Sequence, residues 1–518
     1  MLKSFIVLVV AFAGVLAWSA DYLADGPDNG RTGWVRDEKV FNTTNVRNMS
    51  LLWKIKLDSS AREMHNLFPP IILSSVATSG RAKELAIAAG ISDDLFAIDT
   101  ATGQLIWRRH FDADFDTANA GSSWLCPGGQ TAVPVAEKTS DGKYTVYAVS
   151  WDGRLRQFDA ADGRDLNAPI RFIPPNGKPY ALNFYKNAIY VSTGQGCGGT
   201  PNNFYTLDLA THKTAVFSPA GGGLWGRRGV AISSDGVVYM GTGDGLFDPE
   251  NGRLGNALVA VKLDPSDKSL GLQGYYGAKN ANWLYKRDLD VNVSPMAFDY
   301  KGRHFVAGTS KECRVWLLDG DHFGGDDHTT PLDRSELICN DDANFQSAGV
   351  WGAMAAWQDS AGAQWIGVPF WGEVGRNFHA PIEASRPKHG GVAAFRLEEV
   401  AGKWKLVPAW LSRDILFAEE AVVANGVLFT YSNGEDTRQI PAERSWEETG
   451  PVRSGSASRI ANSTHIVAYA LDAATGKELW SSGDEVKSFS HFSGISAANG
   501  KLYVPSFDGT LYCFGVSR

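Results

Sequence analysis

Two stretches of ten residues, far apart in the chain, are nearly identical. Residues 98–107 read IDTATGQLIW and residues 471–480 read LDAATGKELW. Each has an apolar run that ends in Asp, a short Ala-Thr-Gly segment and a second run that ends in Trp. An Asp side chain can accept hydrogen bonds from nearby backbone N–H groups and Gly tolerates positive φ, so the pattern predicts two β-strands joined by a tight turn.

Further copies of this pattern occur along the chain, and with the first two they make eight returns. The other copies are residues 146–166, 204–217, 257–270, 314–325, 390–410 and 502–516. The intervals are wider than the roughly 40–50 residues of compact propeller repeats, so the excess is expected in loops. The longest loops are predicted at residues 320–348 and 433–464, and long loops on a rigid scaffold are where function concentrates.

The two ends of the chain carry incomplete copies that complement each other. The last copy stops at residues 512–514 without its Trp-bearing strand, whereas residues 51–58 (LLWKIKLD) form such a strand without a preceding partner. Pairing of residues 51–57 beside 511–514 would close a ring and remove its open edge. The sequence therefore predicts an all-β fold, a single eight-bladed β-propeller of four-stranded blades over residues 20–518, with Trp side chains sealing neighbouring blades.

The N-terminus has the features of a secretory signal. Lys3 precedes an apolar run at residues 5–17, and small residues follow it. We therefore predict that residues 1–19 are a signal peptide and that the mature chain is periplasmic or secreted, with no stable membrane insertion after signal removal. The apolar run is short for a spanning helix, and the alternative is an uncleaved anchor.

Composition narrows the class of partner. The net charge is −8 without a basic block, which argues against nucleic acid. The 56 Gly and 17 Trp residues are typical of many tight turns between aromatic-rich strands. The five Cys residues leave at least one thiol unpaired within the chain. They form neither CxxC nor CxxCH, so the sequence supports neither a zinc ribbon nor covalently attached haem.

An eight-bladed ring with DxxTGxxxW returns resembles the quinoprotein propellers, which include periplasmic alcohol dehydrogenases that use pyrroloquinoline quinone (PQQ). Residues 25–58 also look like the first segment of those enzymes. The resemblance implies PQQ on the propeller axis, stacked on a Trp and gripped by Ca²⁺ or a lanthanide. It also implies an Asp base, an alcohol or polyol substrate, and a separate cytochrome or other electron acceptor. Non-catalytic relatives, among them an outer-membrane assembly scaffold, share the repeat, so the fold alone does not decide the function.

Three site residues follow from short segments that match the family. Residues 221–245 (GGGLWGRRGVAISSDGVVYMGTGDG) resemble the segment in which a Trp leads into a strand, so Trp225 is predicted as the floor of the cofactor. Asp244 lies where the family usually has an Asn metal ligand. Trp351, within GVWGAMAAW, is predicted to face the cofactor. The alternatives are packing roles for both Trp residues and a turn role for Asp244.

Residues 282–319 resemble the family segment in which a DxD precedes a strand and a basic residue then contacts the quinone. The resemblance assigns Asp288 as the general base, Asp290 as a second carboxylate for the metal, and Lys311 as the contact to the quinone oxygens. Two adjacent carboxylates repel unless a cation lies between them or one is protonated. The alternative is a surface KRDLD segment whose charges are balanced by Lys286 and Arg287.

The sequence also departs from the family pattern. The family carries a metal-binding Glu in the third blade, but residues 192–203 (STGQGCGGTPNN) contain no acid, and Gln195 or a backbone carbonyl is the available substitute. The adjacent Cys pair of many members is absent. Cys126 and Cys197 fall in Gly-rich loops after neighbouring blades and are hypothesised to bridge. Loss of the Glu weakens the expected metal site, since a metal ion supplies several kcal/mol of charge stabilisation.

Two functions follow. The first is a quinoprotein that oxidises an alcohol or polyol with PQQ and a metal, and the second is a non-catalytic propeller that serves as a binding or assembly scaffold. The missing Glu favours the scaffold, and the segments around Trp225, Asp288 and Lys311 favour the enzyme. The enzyme reading requires Trp225, Asp244, Asp288 and Lys311 to converge on one cavity of roughly 300–1,000 Å³ on the propeller axis.

Overall fold

The computed structural model describes residues 19–78, 81–112, 123–440 and 454–516. Their strands form eight sheets, each with a core of four strands, arranged as the blades of a propeller. The predicted all-β eight-bladed fold is therefore confirmed. The predicted signal peptide lies almost entirely outside the described residues. In the part of the chain that is described, no helix is both long and apolar enough to cross a membrane.

The blades follow one another in chain order. Blade 1 comprises Ile71–Thr78, Arg81–Gly90, Asp94–Asp99 and Leu105–His110. Blade 2 comprises Val135–Lys138, Tyr144–Val149, Arg154–Asp159 and Ile170–Arg171. Blade 3 comprises Lys178–Pro179, Asn183–Tyr185, Ala188–Gly194, Phe204–Asp208 and Thr214–Phe217. Blade 4 comprises Gly223–Trp225, Ala231–Ile232, Val237–Gly243, Leu258–Leu263 and Leu270–Tyr276.

The second half of the ring is built in the same way. Blade 5 comprises Met296–Tyr300, Arg303–Thr309, Val315–Asp319 and Asp333–Arg334. Blade 6 comprises Ala355–Gln358, Gln364–Trp371, Ile382–Glu383, Gly390–Val400 and Lys403–Leu411. Blade 7 comprises Ala418–Ala424, Val427–Ser432, Val467–Asp472 and Glu478–Ser481, with Trp34–Val35 added in parallel. Blade 8 comprises Ser496–Ala498, Lys501–Pro505, Thr510–Gly515 and Ser50–Lys56.

The remaining elements are short and lie between or beside the blades. They are the strand pair Phe247–Asp248 and Arg253–Leu254, the α-helices Ala281–Lys286 and Ser456–Asn462, and the 3-10 helices Asn45–Asn48, Cys197–Gly199 and Pro249–Asn251.

The N-terminal strand closes the ring, as predicted. Ser50–Lys56 pairs antiparallel with Thr510–Gly515, in a register that places Leu51 opposite Phe514 and Ile55 opposite Leu511. Blade 8 therefore takes its fourth strand from the other end of the chain. The buried residues of blade 8 join those of blades 1 and 7 in one apolar cluster, against which Leu51, Trp53 and Ile55 of the N-terminal strand pack.

The repeat Trp side chains connect neighbouring blades. Trp107 of blade 1 donates its indole N–H to the carbonyl oxygen of Ala160 in the turn of blade 2, at 2.9 Å. The ring also covers Gly163 of that turn so closely that a Cβ there would lie 2.7 Å from it. Trp53 and Trp410 make the corresponding bonds to the turns of blades 1 and 7. The Gly of the repeat is thus required by its positive φ and by the Trp of the preceding blade.

A buried ionic network lies on the axis beneath the centre of the ring. Glu420 accepts hydrogen bonds from Arg227 at 2.5 Å and from Arg228 at 2.6 and 3.1 Å. Asp25, from the N-terminal segment, also binds Arg227. Glu420, Arg228 and Asp25 are almost completely buried. The network joins the N-terminal segment to blades 4 and 7.

Two disulfide bonds are present. Cys126–Cys197 joins the loops that precede blade 2 and follow the second main strand of blade 3, which confirms the hypothesised bridge. Cys313–Cys339, within blade 5, was not predicted. Cys513 is a buried free thiol, in agreement with the odd number of Cys residues.

Candidate active site

A cavity of about 120 Å³ lies where the loops of the blades meet on the axis. Its walls come from segments that lead into the first strands of blades 1 to 6 and 8, together with loops of blades 3, 4, 5 and 7. Trp225, Asp244, Asp288, Lys311 and Trp351 all line it. The residues therefore converge on one cavity, as the enzyme reading requires, but this cavity is smaller than the expected volume of roughly 300–1,000 Å³.

Three carboxylates form a cluster on one side of this cavity. Oxygen atoms of Asp244, Asp288 and Asp290 lie within 4.8 Å of one another. The ammonium group of Lys311 lies between two of them, with Nζ 3.0 Å from Asp288 Oδ1 and 3.0 Å from Asp290 Oδ2. Asp290 also accepts the backbone N–H of Asp244 at 3.0 Å. We call these four residues the acidic cluster.

Local backbone structure fixes the positions of these side chains. The helix Ala281–Lys286 ends just before Asp288, whose backbone has φ +57°, and the chain then turns toward blade 5. Asp244 follows the strand Val237–Gly243 with φ +52°. The backbone N–H of Lys311 donates to the carbonyl oxygen of Asp290 at 3.0 Å. Positive φ at non-Gly residues costs about 1 kcal/mol or more, and such strain often occurs at functional sites.

The acidic cluster shares its charge unequally. Burial raises the pKa of Asp288 well above its usual range, and the neighbouring Asp290 adds to this against the opposing effect of Lys311. Burial also acts on Asp290, but Lys311 and the hydrogen bond to Asp288 outweigh it, so the pKa of Asp290 is lowered. The carboxylates likewise overcome the burial of Lys311 and raise the pKa of its ammonium group. Lys311 therefore stays charged, and Asp288 is the carboxyl group of the pair that holds a proton most readily.

Aromatic rings form the apolar walls. Trp351 lies under the Lys311 ammonium, which is 4.6 Å from the ring centroid, and stacks on Trp371 at 4.9 Å. Phe492 stacks on both rings, at 5.9 and 6.1 Å. Trp225, the last residue of the strand Gly223–Trp225, lines the cavity separately. Its Nε1 is buried and has no hydrogen-bond partner among the described residues.

The six predicted site residues are thus brought together, while their roles remain predictions. Five line the cavity, and Asp290 lies behind them, completely buried, where it binds Lys311. Gln195, the residue available in place of the third-blade Glu, lines the same cavity. The surface alternative for the KRDLD segment is wrong for its two Asp residues, because Asp288 is 7% and Asp290 1% exposed.

Several cavity residues escaped the sequence analysis. They are mostly basic or polar, and they come from blades 1, 2, 3, 7 and 8 or from the segments that lead into them: His65, Trp124, Lys178, Glu435, Arg459 and His491. For Glu435 and Arg459 the available signal is positional, since both lie in the predicted long loop at residues 433–464. The scattered His residues gave no motif, and only the closed ring places His65 beside His491, with ring centroids 4.7 Å apart.

The cavity suits a planar quinone and a hard cation. Carboxylate oxygens are the ligands that Ca²⁺ and similar cations prefer, and the acidic cluster supplies three such groups. Flat indole surfaces suit a planar ring system. The buried Nε1 of Trp225 and Nε2 of Gln195 have no partner among the described residues, and carbonyl or carboxylate oxygens of a ligand would satisfy them.

Sequence comparison relates the chain to two kinds of protein. The profile of a family described as outer membrane protein assembly factor BamB matches residues 24–169. The quinohemoprotein alcohol dehydrogenase of Comamonas testosteroni is 24% identical over 344 residues, an alignment that covers 58% of this chain and 45% of the relative. The chain thus spans less than half the length of the curated relative that it matches.

Solved structures show the same architecture over nearly the whole chain. The quinohemoprotein alcohol dehydrogenase of Comamonas testosteroni superposes with a TM-score of 0.57 at 16% identity, covering 96% of this chain and 81% of that protein. A europium-containing methanol dehydrogenase superposes with a TM-score of 0.59 at 12% identity, covering 96% and 98%. The resemblance predicted from the repeats is confirmed: the chain is an eight-bladed propeller with the fold of the quinoprotein alcohol dehydrogenases and is similar to them in sequence.

Proposed function

We propose that the protein is a quinoprotein dehydrogenase that oxidises an alcohol or polyol with PQQ and a bound Ca²⁺ or lanthanide ion. The observation that carries this proposal is the acidic cluster, which meets Trp225 and Trp351 in a cavity on the propeller axis. A scaffold has no need of three carboxylates and a lysine gathered in a cavity, since burying such groups is costly. The similarity to alcohol and methanol dehydrogenases supports the same reaction class.

The residues divide the work as follows. Asp244 and Asp290 would hold the cation, Trp225 would stack against the cofactor ring, and Lys311 would donate to its oxygens. A bound PQQ would supply the two-electron oxidant for the alcohol, and the metal would supply Lewis-acid polarisation of the cofactor. An Asp288 carboxylate oxygen accepts the proton of the alcohol O–H. A raised pKa makes Asp288 a better proton acceptor than an ordinary surface carboxylate.

The environment of the protein follows from the same proposal. We infer export to the periplasm or the medium, supported by the signal-like N-terminus and by the disulfides Cys126–Cys197 and Cys313–Cys339, which persist in oxidising compartments. Electrons leave to a separate acceptor such as a cytochrome, since the sequence has no CxxCH haem motif.

The test is reconstitution of the purified chain with PQQ and either Ca²⁺ or La³⁺, followed by dye reduction with short alcohols and polyols. The proposal predicts PQQ uptake that depends on the metal, and turnover with at least one substrate. Asp288→Asn should lower kcat by at least about a thousandfold, because an amide cannot accept the proton. PQQ absorbance retained by the variant would show that the site is still assembled. Wild-type activity in Asp288→Asn would contradict the role of Asp288.

A second candidate function is a non-catalytic propeller that acts as a binding or assembly scaffold. The match of residues 24–169 to the family described as assembly factor BamB favours it. Failure of the chain to take up PQQ with Ca²⁺, La³⁺ or no metal would leave this candidate in place of the enzyme.

A further inference from the structure

A second polar cluster lies across the cavity from the acidic cluster. Arg459, on the helix Ser456–Asn462, donates from Nη2 to Glu435 Oε1 at 3.2 Å and from Nε to the carbonyl oxygen of Asp436 at 2.8 Å. His491 Nδ1 lies 2.5 Å from Glu435 Oε2. Arg459, Glu435 and His491 are between 2% and 5% exposed and all line the cavity. The group lies beside blades 7 and 8, whereas the acidic cluster lies at blades 4 and 5.

Two nitrogen atoms of this cluster are left without partners. Nη1 of Arg459 and Nδ1 of His65 are buried and have no hydrogen bond among the described residues. His65 is 5% exposed and packs edge-on against His491. A buried N–H without a partner costs about 1–3 kcal/mol, more when it carries charge, so Nη1 of Arg459, which always carries protons, indicates a ligand that supplies the missing acceptor. Nδ1 of His65 donates or accepts according to its tautomer, and it too can pair with a ligand.

A second cation faces the same end of the cavity. Nζ of Lys178 donates to the carbonyl oxygen of Leu125 at 2.8 Å, and no carboxylate among the described residues pairs with it. Burial lowers the pKa of Lys178 to about 8. Burial has the largest effect and lowers the pKa of both His65 and His491. His491 further lowers the pKa of His65, and Lys178 and Arg459 lower the pKa of both His residues to a smaller extent. The two cations therefore act on the same small region.

The positive and negative charges at the end of the cavity lined by Arg459 and Lys178 do not balance. Two cations, Arg459 and Lys178, face this end, and Glu435 is the one carboxylate among the described lining residues there, with a pKa that burial raises against the opposing effect of Arg459. The low pKa of His491 makes it a neutral partner of Glu435. Arg459 and Lys178 thus leave an excess of positive charge in a desolvated site, which an anion would neutralise.

We propose that Arg459, Lys178 and His65 form a carboxylate-binding subsite on the side of the axial cavity opposite the acidic cluster. A carboxylate is planar, and it matches the edge of the Arg459 guanidinium group that does not bind Glu435. The Arg459 guanidinium is itself held flat over Trp124, 4.5 Å from the ring centroid. The stacked rings of Trp351 and Phe492 connect the two ends of the cavity, so the carboxylate belongs to a ligand with a flat body. The subsite rests on these contacts and stands independently of the proposed function.

The first test measures binding of benzoate and of its neutral isostere benzamide to the chain prepared without PQQ, by calorimetry or quenching of Trp fluorescence. Benzoate should bind at least tenfold more tightly than benzamide. Arg459→Gln and Lys178→Gln should each weaken benzoate binding at least tenfold and change benzamide binding less than twofold, and Arg459→Lys should restore part of the affinity. Arg438→Gln is the matched control, because this exposed Arg of the same segment forms its ion pair, among the described residues, with Asp436.

The second test identifies the source of the carboxylate. It measures whether PQQ, or the trimethyl ester of PQQ, competes with benzoate for binding to the chain. If the cofactor supplies it, PQQ displaces benzoate, and Arg459→Gln weakens PQQ but not the ester. If an acidic substrate supplies it, benzoate binds together with PQQ and Arg459→Gln leaves PQQ affinity unchanged. A wild-type chain that does not prefer benzoate, or Arg459 and Lys178 variants that both bind benzoate as wild type does, overturns the subsite. Loss of PQQ binding alone concerns only the proposed function.

Discussion

At the scale of single residues, the third and fourth blades carry an amide and a carboxylate in the reverse order from the family that this chain resembles. That family has a Glu in the third blade and an Asn in the fourth, whereas this chain has Gln195 and Asp244. Both line the same cavity, so one acid and one amide are retained in exchanged positions. If both side chains bind the proposed cation, the charge available to it equals that of the family, and this remains to be tested.

This exchange gives a prediction that uses both positions. Asp244→Asn should weaken Tb³⁺ binding at least tenfold, because it removes one of three carboxylates. Gln195→Glu should strengthen binding, and the double variant should return to within about threefold of wild type, if the two side chains share one cation. Tb³⁺ luminescence sensitised by the neighbouring Trp residues measures the affinity. Unchanged affinity in Asp244→Asn would show that Asp244 is not a ligand.

The sequence predicted which residues lie together where one short segment contains them, while their roles remain predictions. Asp288, Asp290 and Lys311 lie in such a segment, and the two strands between them, Met296–Tyr300 and Arg303–Thr309, bring Lys311 back to the two carboxylates. Arg459 and Lys178 lie in different blades without a local motif. Their proximity depends on closure of the ring and on the path of a loop, neither of which a local pattern encodes.

At the scale of elements, the joint between one blade and the next depends on a Trp that covers a Gly. Gly163 has φ +71°, and a Cβ there would lie 2.7 Å from the ring of Trp107. Gly142 has φ +81° but open space around the added Cβ. The two positions therefore separate the backbone requirement for Gly from the packing requirement.

Substitution at these two positions should have unequal effects. Gly142→Ala should lower the free energy of unfolding by about 1 kcal/mol, the cost of positive φ with a side chain. Gly163→Ala should cost about 2–4 kcal/mol, since it also displaces the Trp107 ring and its bond to Ala160. Urea denaturation followed by circular dichroism measures both values. Equal losses would show that the Trp contact adds nothing to the joint.

Secondary-structure elements could likewise be predicted from sequence where local contacts determine them, and not where distant parts of the chain do. The Asp-to-Gly turn and the Trp strand could be predicted, because their hydrogen bonds lie within a few residues of one another, as between Asp472 and the backbone of Ala474 and Gly476. The helix Ser456–Asn462 was not predicted. It is seven residues long, and its position reflects burial of Arg459 more than any helical periodicity in the loop.

At the scale of the whole molecule, the ionic network around Glu420 connects blades that are far apart in sequence. Glu420 and Asp25 together balance the charges of Arg227 and Arg228. Buried ion pairs give little net stability against an apolar replacement, but removal of one partner leaves uncompensated charge. No local sequence pattern predicts this network, because its members lie nearly 400 residues apart along the chain, between Asp25 and Glu420.

Neutralisation of Glu420 should therefore destabilise the ring as a unit. Glu420→Gln is expected to lower the free energy of unfolding by about 3–5 kcal/mol, whereas Glu399→Gln, at an exposed strand position, should change it by less than about 0.5 kcal/mol. Denaturant midpoints compared at pH 7 measure both changes. A Glu420→Gln midpoint equal to that of wild type would mean that Asp25 alone compensates the two Arg residues.

The pairing of Ser50–Lys56 with Thr510–Gly515 also governs biogenesis. Ser50–Lys56 is one of the first strands to be synthesised, and its partner Thr510–Gly515 is one of the last. The eighth sheet therefore stays incomplete until nearly the whole chain has been made. During that interval its bare backbone edges are open to chaperones and proteases. A nonsense mutation just before Thr510 would therefore spare seven blades and still leave a protein that cellular quality control removes.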